Sequence, residues 1–316
     1  MADVITIGRT RRLVVLDRVT SVAPLGLRFH DATTGQAIGD GLDVSAYPAG
    51  QPNAARAMFP NRRGVFVLHH PPGLRVLENG TGDDDYWKNL PPKKDFVIEV
   101  RDVQDRFLPF QFVAALPNRG VYEWQDPVIG SPPSITKSIP LYSSPARPTP
   151  AGMAVVRADL WDPTRETGGS GAASAVLELY DNDRFVARGI ADQKGRVAVM
   201  FPYPAPKSFA QSSSPGSPLG SPPRAAGPAL TDQVWRFRVR ALYAIQSPPQ
   251  MPPTDALPDL RAVLSRPVAA IWADEVQTDQ LLEVAVQFDQ PLILKSSSSM
   301  SPPLKGGSML FITSAV

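Results

Sequence analysis

Ser134-Ile-Thr-Lys137 sets a serine and a lysine at the S-x-x-K spacing by which an amine one helical turn away can deprotonate a hydroxyl. That chemistry needs a helix, but the motif follows Ser131-Pro-Pro133 and precedes Pro140, and proline lacks the N–H and clashes with the preceding turn. Neither S-D-N nor K-T-G follows it. Gly168-Gly-Ser-Gly-Ala172 falls one residue short of G-x-S-x-G and reads as a turn between strands. Asp83-Asp-Asp85 offers carboxylates to a hard cation, yet three consecutive side chains cannot all converge on one ion, so a solvated loop tip is expected. His69-His70 follows a strand, where neighbours point to opposite faces, and His30 could join one of them only through the tertiary fold. With three histidines and no cysteine, thiolate zinc sites, a cysteine nucleophile and disulfides are excluded. No P-loop, dinucleotide fingerprint or H-E-x-x-H motif occurs. The expectation is a protein that is not an enzyme, with no catalytic residue, no metal and no cofactor.

Trp235-Arg-Phe-Arg-Val-Arg240 interleaves aromatic and basic residues as single-strand nucleic-acid binders do. On a strand, however, Trp235, Phe237 and Val239 share one face and Arg236, Arg238 and Arg240 the other, which is the pattern of a half-buried strand. A net charge of +2 also lacks the basic excess such binding needs, so no nucleic acid is expected and the arginine row is a candidate protein contact.

The elements around these residues are strands. Phe96–Asp102, Ala175–Tyr180, Arg196–Phe201 and Trp235–Arg240 are short, alternating and β-branched or aromatic, with turns at Thr34-Gly35, Asp40-Gly41, Asn79-Gly80 and Lys194-Gly195. Thirty-five prolines and 23 glycines in 316 residues exclude long helices, while 43% apolar residues supply enough surface for packed cores. Leu27–Asp31, Leu42–Tyr47, Arg63–Leu68 and Phe96–Asp102 recur in order as Val156–Leu160, Val176–Tyr180, Gly195–Phe201 and Trp235–Arg240, offset by 130 to 140 residues.

The fold expected is therefore all-β, with two related β-sandwiches. An arm, 1–23, precedes the first sandwich at 24–125; a proline-rich linker, 126–150, joins it to the second at 151–246, with a mobile Ser/Pro/Gly loop near 208–228. The segment 247–316 is expected to be extended, with one short helix at Pro258–Leu264. Val14, Val15 and Leu16 near one end and Leu310, Phe311 and Ile312 near the other are apolar enough to need cover, from a partner chain or the neighbouring sandwich. The start of the chain lacks the basic and apolar regions of a signal peptide and no run approaches eighteen apolar residues, so a cytoplasmic protein without membrane insertion is expected.

Gly189-Ile-Ala-Asp-Gln-Lys-Gly-Arg-Val-Ala-Val-Met-Phe-Pro202 resembles the T-D-x-x-G-x-[FV]-x-[FLV] segment of carboxypeptidase regulatory-like domains, which are transthyretin-like β-sandwiches, with Ala191 where the pattern has threonine. The order Leu27-Arg-Phe-His-Asp, Asp40-Gly-Leu-Asp-Val, Gly64-Val-Phe, Phe107-Leu-Pro-Phe, Leu116-Pro-Asn-Arg-Gly and Leu141-Tyr-Ser-Ser-Pro-Ala-Arg-Pro is similar to proteins encoded with phage-tail-like contractile injection systems. The resemblance covers roughly residues 13 to 206 and carries no catalytic residues. It implies a structural adaptor at the cap or baseplate end of such a particle, assembled with other tail, cap and baseplate subunits and with copies of itself in a ring, and released extracellularly with the particle. An independent adhesion or ligand-binding module is the alternative.

Overall fold

The structure is a computed structural model describing residues 4–7, 11–14, 22–74, 77, 82–126, 135–164, 170–205, 229–244, 257–296 and 309–314. It is all-β, built as two curled, sandwich-like bodies with two short helices. A hairpin of β1 (Val4–Ile7) and β2 (Arg11–Val14) comes first. The first body holds β3 (Gly26–Leu27), β4 (Phe29–Asp31), β5 (Ala37–Ile38), β6 (Leu42–Pro48), β7 (Arg56–Pro60) and β8 (Phe66–Val67). Helix α1 (Asp84–Lys88) leads to β9 (Lys94–Asp102), β10 (Phe110–Leu116), β11 (Trp124–Gln125), β12 (Ile135–Thr136) and β13 (Ile139–Leu141). The second body starts with β14 (Met153–Asp162), β15 (Ser170–Gly171), β16 (Val176–Asp181), β17 (Arg184–Ile190), β18 (Arg196–Pro202) and β19 (Val234–Leu242). After helix α2 (Leu260–Leu264) it ends with β20 (Val268–Trp272), β21 (Glu283–Gln287), β22 (Leu292–Ile293) and β23 (Met309–Ser314).

In the first body one sheet runs β10-β9-β6-β7-β8-β3 and the other β13-β4-β5. In the second, β15-β14-β23-β20-β19-β16-β17 form one curled sheet, with β18 and β22 paired to β14 and β21 to β19. Alternation sets the faces: along β9, Phe96, Ile98, Val100 and Asp102 point inward, while β18 is buried on both faces, Val197, Val199 and Phe201 on one and Ala198 and Met200 on the other.

The two bodies share a set of corresponding hydrogen bonds. Asp31 accepts the Thr33 amide at 2.8 Å and Asp162 the Thr164 amide at 2.8 Å. Asn61 accepts the amides of Arg63 and Val65, and Asp192 those of Lys194 and Arg196, so that each carbonyl also closes a turn on the amide of Gly64 or Gly195. Each of these pairs is 131 residues apart. Beyond the turns, the Tyr122 amide bonds the Gly26 carbonyl as the Leu294 amide bonds that of Arg157, both at 2.8 Å. A parallel strand then closes each body: β13 pairs Ile139 with Phe29, and β23 pairs Leu310 with Leu160.

This repeat corrects two expectations. The stretch 126–150 is not only a linker, because β13 lies inside it and buries Ile139 and Leu141 in the first core. Nor is 247–316 simply extended: β20 and β23 complete the second sheet, and α2, capped by Asp259 and burying Leu260, Val263 and Leu264, packs with the first core. Alternation in Leu310-Phe311-Ile312 turns Leu310 and Ile312 inward, and both edges of the strand are hydrogen-bonded, to β14 and β20. The loop near 208–228 lies outside the described residues.

Candidate functional site

A buried cluster of opposite charges lies where β16 and β17 meet the first body. Val176, Ile190 and Leu242 on this outer face of the second sheet belong to the first core, so this part of the face is covered and not solvated. Glu178, in the middle of an apolar run, is directly opposite Arg188 on the neighbouring strand, and both are buried. Arg188 Nε donates to Glu178 Oε1 at 2.8 Å, and its Nη1 donates to Asp126 at 3.1 Å and to the Tyr142 hydroxyl at 3.3 Å, both from the first body's side. The other oxygen of Glu178 accepts from Arg240 Nε at 2.7 Å and from the Tyr180 hydroxyl at 2.9 Å. Burial pushes the Tyr142 phenol up to about 12, with Arg188 opposing and Asp126 adding to the rise. Tyr180 is also pushed up to about 12, by burial and then by the charge of Glu178. Burial works against the charge of Arg188, but Tyr142, Glu178 and Asp126 around it outweigh burial and raise the guanidinium above its ordinary value. Each Glu178 oxygen is engaged by groups of this chain, so the cluster fastens the bodies together.

This junction divides the arginine row. Trp235, Phe237 and Val239 face the second core, as the alternation requires. Arg236 is exposed opposite Ala285, and Arg238 reaches the exposed Asp183 at 3.2 Å. Arg240 is instead turned onto Glu178 and stacks 4.8 Å from the centre of the Tyr180 ring, so as a partner contact it is corrected to part of the junction. At the other candidate surface, Leu310 and Ile312 are buried in this chain's own core, and Phe311 is half-buried opposite Trp161 and Trp272. Val14 pairs with Val4 in the β1–β2 hairpin, and Val15 and Leu16 lie outside the described residues. The sequence reading missed Glu178, Arg188, Tyr142 and Asp126. The available signal was a carboxylate inside Val176-Leu-Glu-Leu-Tyr180, where neither neighbour is polar.

A cavity of about 400 Å³ opens between the bodies, with Phe110, Tyr142, Ile190, Leu260 and Val263 in its apolar wall and Lys194 among its polar groups. It adjoins the Asp192–Arg196 turn, which Asp192 holds through two amides and the Arg196 guanidinium at 2.7 Å. Here Gly195 is obligatory: its φ is +80°, and a Cβ would sit 2.2 Å from the Leu160 carbonyl.

The remaining chemical candidates are apart from one another. Ser134 lies outside the described residues, and Lys137 is exposed just beyond β12, not on a helix. Asp83 caps α1 by accepting the Tyr86 amide at 2.8 Å, and Asp84 and Asp85 form its acidic first turn, so this stretch is a helix start instead of a plain loop tip. His69 and His70 are exposed, while His30 is half-buried, meets Ser138 Oγ at 3.0 Å, and is held below its ordinary pKa by burial against the charges of Asp31 and Asp126. Among the described residues no three His, Asp or Glu side chains gather as metal ligands, and no helix is long and apolar enough to cross a membrane.

No protein-family model matches this chain, and neither does any curated protein. Among solved structures it overlaps the Bacillus anthracis TIE protein at a TM-score of 0.22 and 10% identity, across 61% of this chain and 28% of that one. A likeness that low bears on neither fold nor role.

Proposed function

We propose that this chain is a non-enzymatic structural adaptor at the cap or baseplate end of a phage-tail-like contractile injection particle. Its partners there would be other tail, cap and baseplate subunits and copies of itself. One observation carries this reading: a buried charge cluster joins the two sandwich-like bodies, through Arg188 to Glu178, Asp126 and Tyr142. Arg157, which donates to the carbonyls of Pro145 and Arg147, adds a second tie. A duplicated body tied in this way suits a spacer of fixed length, and the sequence resemblance points to the same class of particle. The test is electron microscopy of particles made with and without this chain. Loss of density at one end, restored by a labelled copy, is the expected result; unchanged particles that exclude the labelled chain would overturn the proposal.

The apolar cavity between the bodies favours a second reading, a ligand-binding sandwich module. It predicts that Val263→Trp, which fills the cavity, abolishes binding of a small apolar probe such as indole. Equal binding by the variant would remove that reading.

A further inference from the structure

The strand that closes the second body is joined to it by far more chain than closure needs. β22 sits parallel to β14 with Ile293 opposite Arg157, and β23 returns to the same strand in the same direction with Met309 opposite Asp159. The two attachment points are two residues apart, about 7 Å at the rise of a strand. Leu294 is still held, by its amide on the Arg157 carbonyl and its side chain in the core, so residues 295–308, 14 in all, connect them, and a chain of that length reaches as far as roughly 50 Å. A comparable length separates Tyr122 from β13 in the first body, but there the connection carries Trp124, which is 1% exposed in the core, and the β11–β12 pair. In residues 297–308, Ser-Ser-Ser-Met-Ser-Pro-Pro-Leu-Lys-Gly-Gly-Ser, the large apolar side chains are Met300 and Leu304.

We infer that β23 is an exchangeable strand whose partner is a second copy of this chain. In an array of copies, β23 of one chain fills the slot between β14 and β20 of its neighbour. Exchange remakes the same contacts: Leu310 and Ile312 enter an identical core, and Thr313 Oγ1 again accepts Trp272 Nε1, at 2.9 Å in the closed chain. The balance is set by concentration. A linker of this length holds its own strand at an effective concentration in the millimolar range, so a dilute chain closes on itself and a crowded ring exchanges. The register stands without the particle reading; only the location of the crowded ring rests on it.

The chain has no cysteine, so paired substitutions report exchange without background from native thiols. Ala270 and Thr313 are directly opposed, half-buried and on the outer face, at a separation a disulfide can span. Full-length A270C and T313C chains would be mixed, unfolded and refolded together at about 1 mM, with the A270C/T313C double variant refolded alone when dilute. The expected result is a 270–313 disulfide between chains in the mixture, identified by peptide mass, and one within the chain in the double variant. Closure of the double variant with no interchain 270–313 bond in the mixture would overturn the inference. So would failure of the double variant to close, since β23 would then not occupy the slot at all. Neither result depends on particles, so this inference and the particle reading can fail separately.

Discussion

The first body closes with β13, which its connection delivers along a route pinned by Trp124, whereas the second closes with β23 across a Ser/Pro/Gly connection. The hydrogen bonds around the two closing strands match, yet their surroundings do not. At the matching ends of β4 and β14, Asp31 takes a charged partner, Arg147, at 2.7 Å, and Asp162 takes a neutral one, the Tyr243 hydroxyl, also at 2.7 Å. Part of the outer face of the second sheet is covered by the first body, which is why a carboxylate is buried there with two arginines. One architecture thus stands with different polar partners, provided each buried oxygen keeps a donor.

The largest expected effect breaks the second closure. Deleting residues 309–316 removes Leu310 and Ile312 from the core, each worth about 1.5 to 3 kcal/mol, and leaves the edges of β14 and β20 unpaired. Urea unfolding should show the second body destabilised by about 3 to 6 kcal/mol while the first keeps its transition. Arg188→Ala separates the two bodies by leaving Glu178 buried beside one arginine, at a cost of about 3 to 5 kcal/mol; unfolding should then split into two steps. The matched turns sharpen the comparison. Gly195→Ala drives a Cβ against the Leu160 carbonyl and should cost about 3 kcal/mol or more, whereas Gly64→Ala, at φ +69° with its nearest neighbour at 3.3 Å, should cost about 1 to 2. The smallest effect is one of pH. Burial alone would raise the Asp31 carboxyl, but Arg147, the Thr33 amide and the Thr34 hydroxyl hold it below its ordinary 3.8. Its contribution is therefore complete above that value and lost as pH falls through the lower folded one, so Asp31→Asn should flatten the loss of stability below about pH 4.

Much of the fold is legible in the residues because period-two alternation is a local property. The row Trp235 to Arg240 shows both its inner and outer faces in sequence, and the Gly64 and Gly195 turns mark the repeat at its true offset. The pairing of Leu27 with Val156 slips by two residues, since the register sets Leu27 against Ala158; a shift of two keeps the same face inward and leaves no trace in the pattern. What covers a face is not a local property. Arg240 reads like Arg236 along the strand, but Glu178, 62 positions away on the neighbouring strand, holds Arg240 half-buried, while Arg236 stays exposed opposite Ala285. The closing strands differ in this respect. Ile139-Pro-Leu141 is too short to show alternation and its proline-rich neighbours give it the look of a linker, whereas Leu310-Phe-Ile312 stands out as an apolar run in need of cover but does not say which sheet supplies it.

Native-state hydrogen exchange of the full chain at low protein concentration tests the central claim most directly, namely that one parallel strand closes each body. The amide of Ile139, bonded to the Arg28 carbonyl at 2.8 Å, should exchange slowly, and the amides within 310–313, held between β14 and β20, should be protected to a similar degree. Exchange across 310–313 at the rate of an unstructured peptide, with 139–141 protected, would contradict the account.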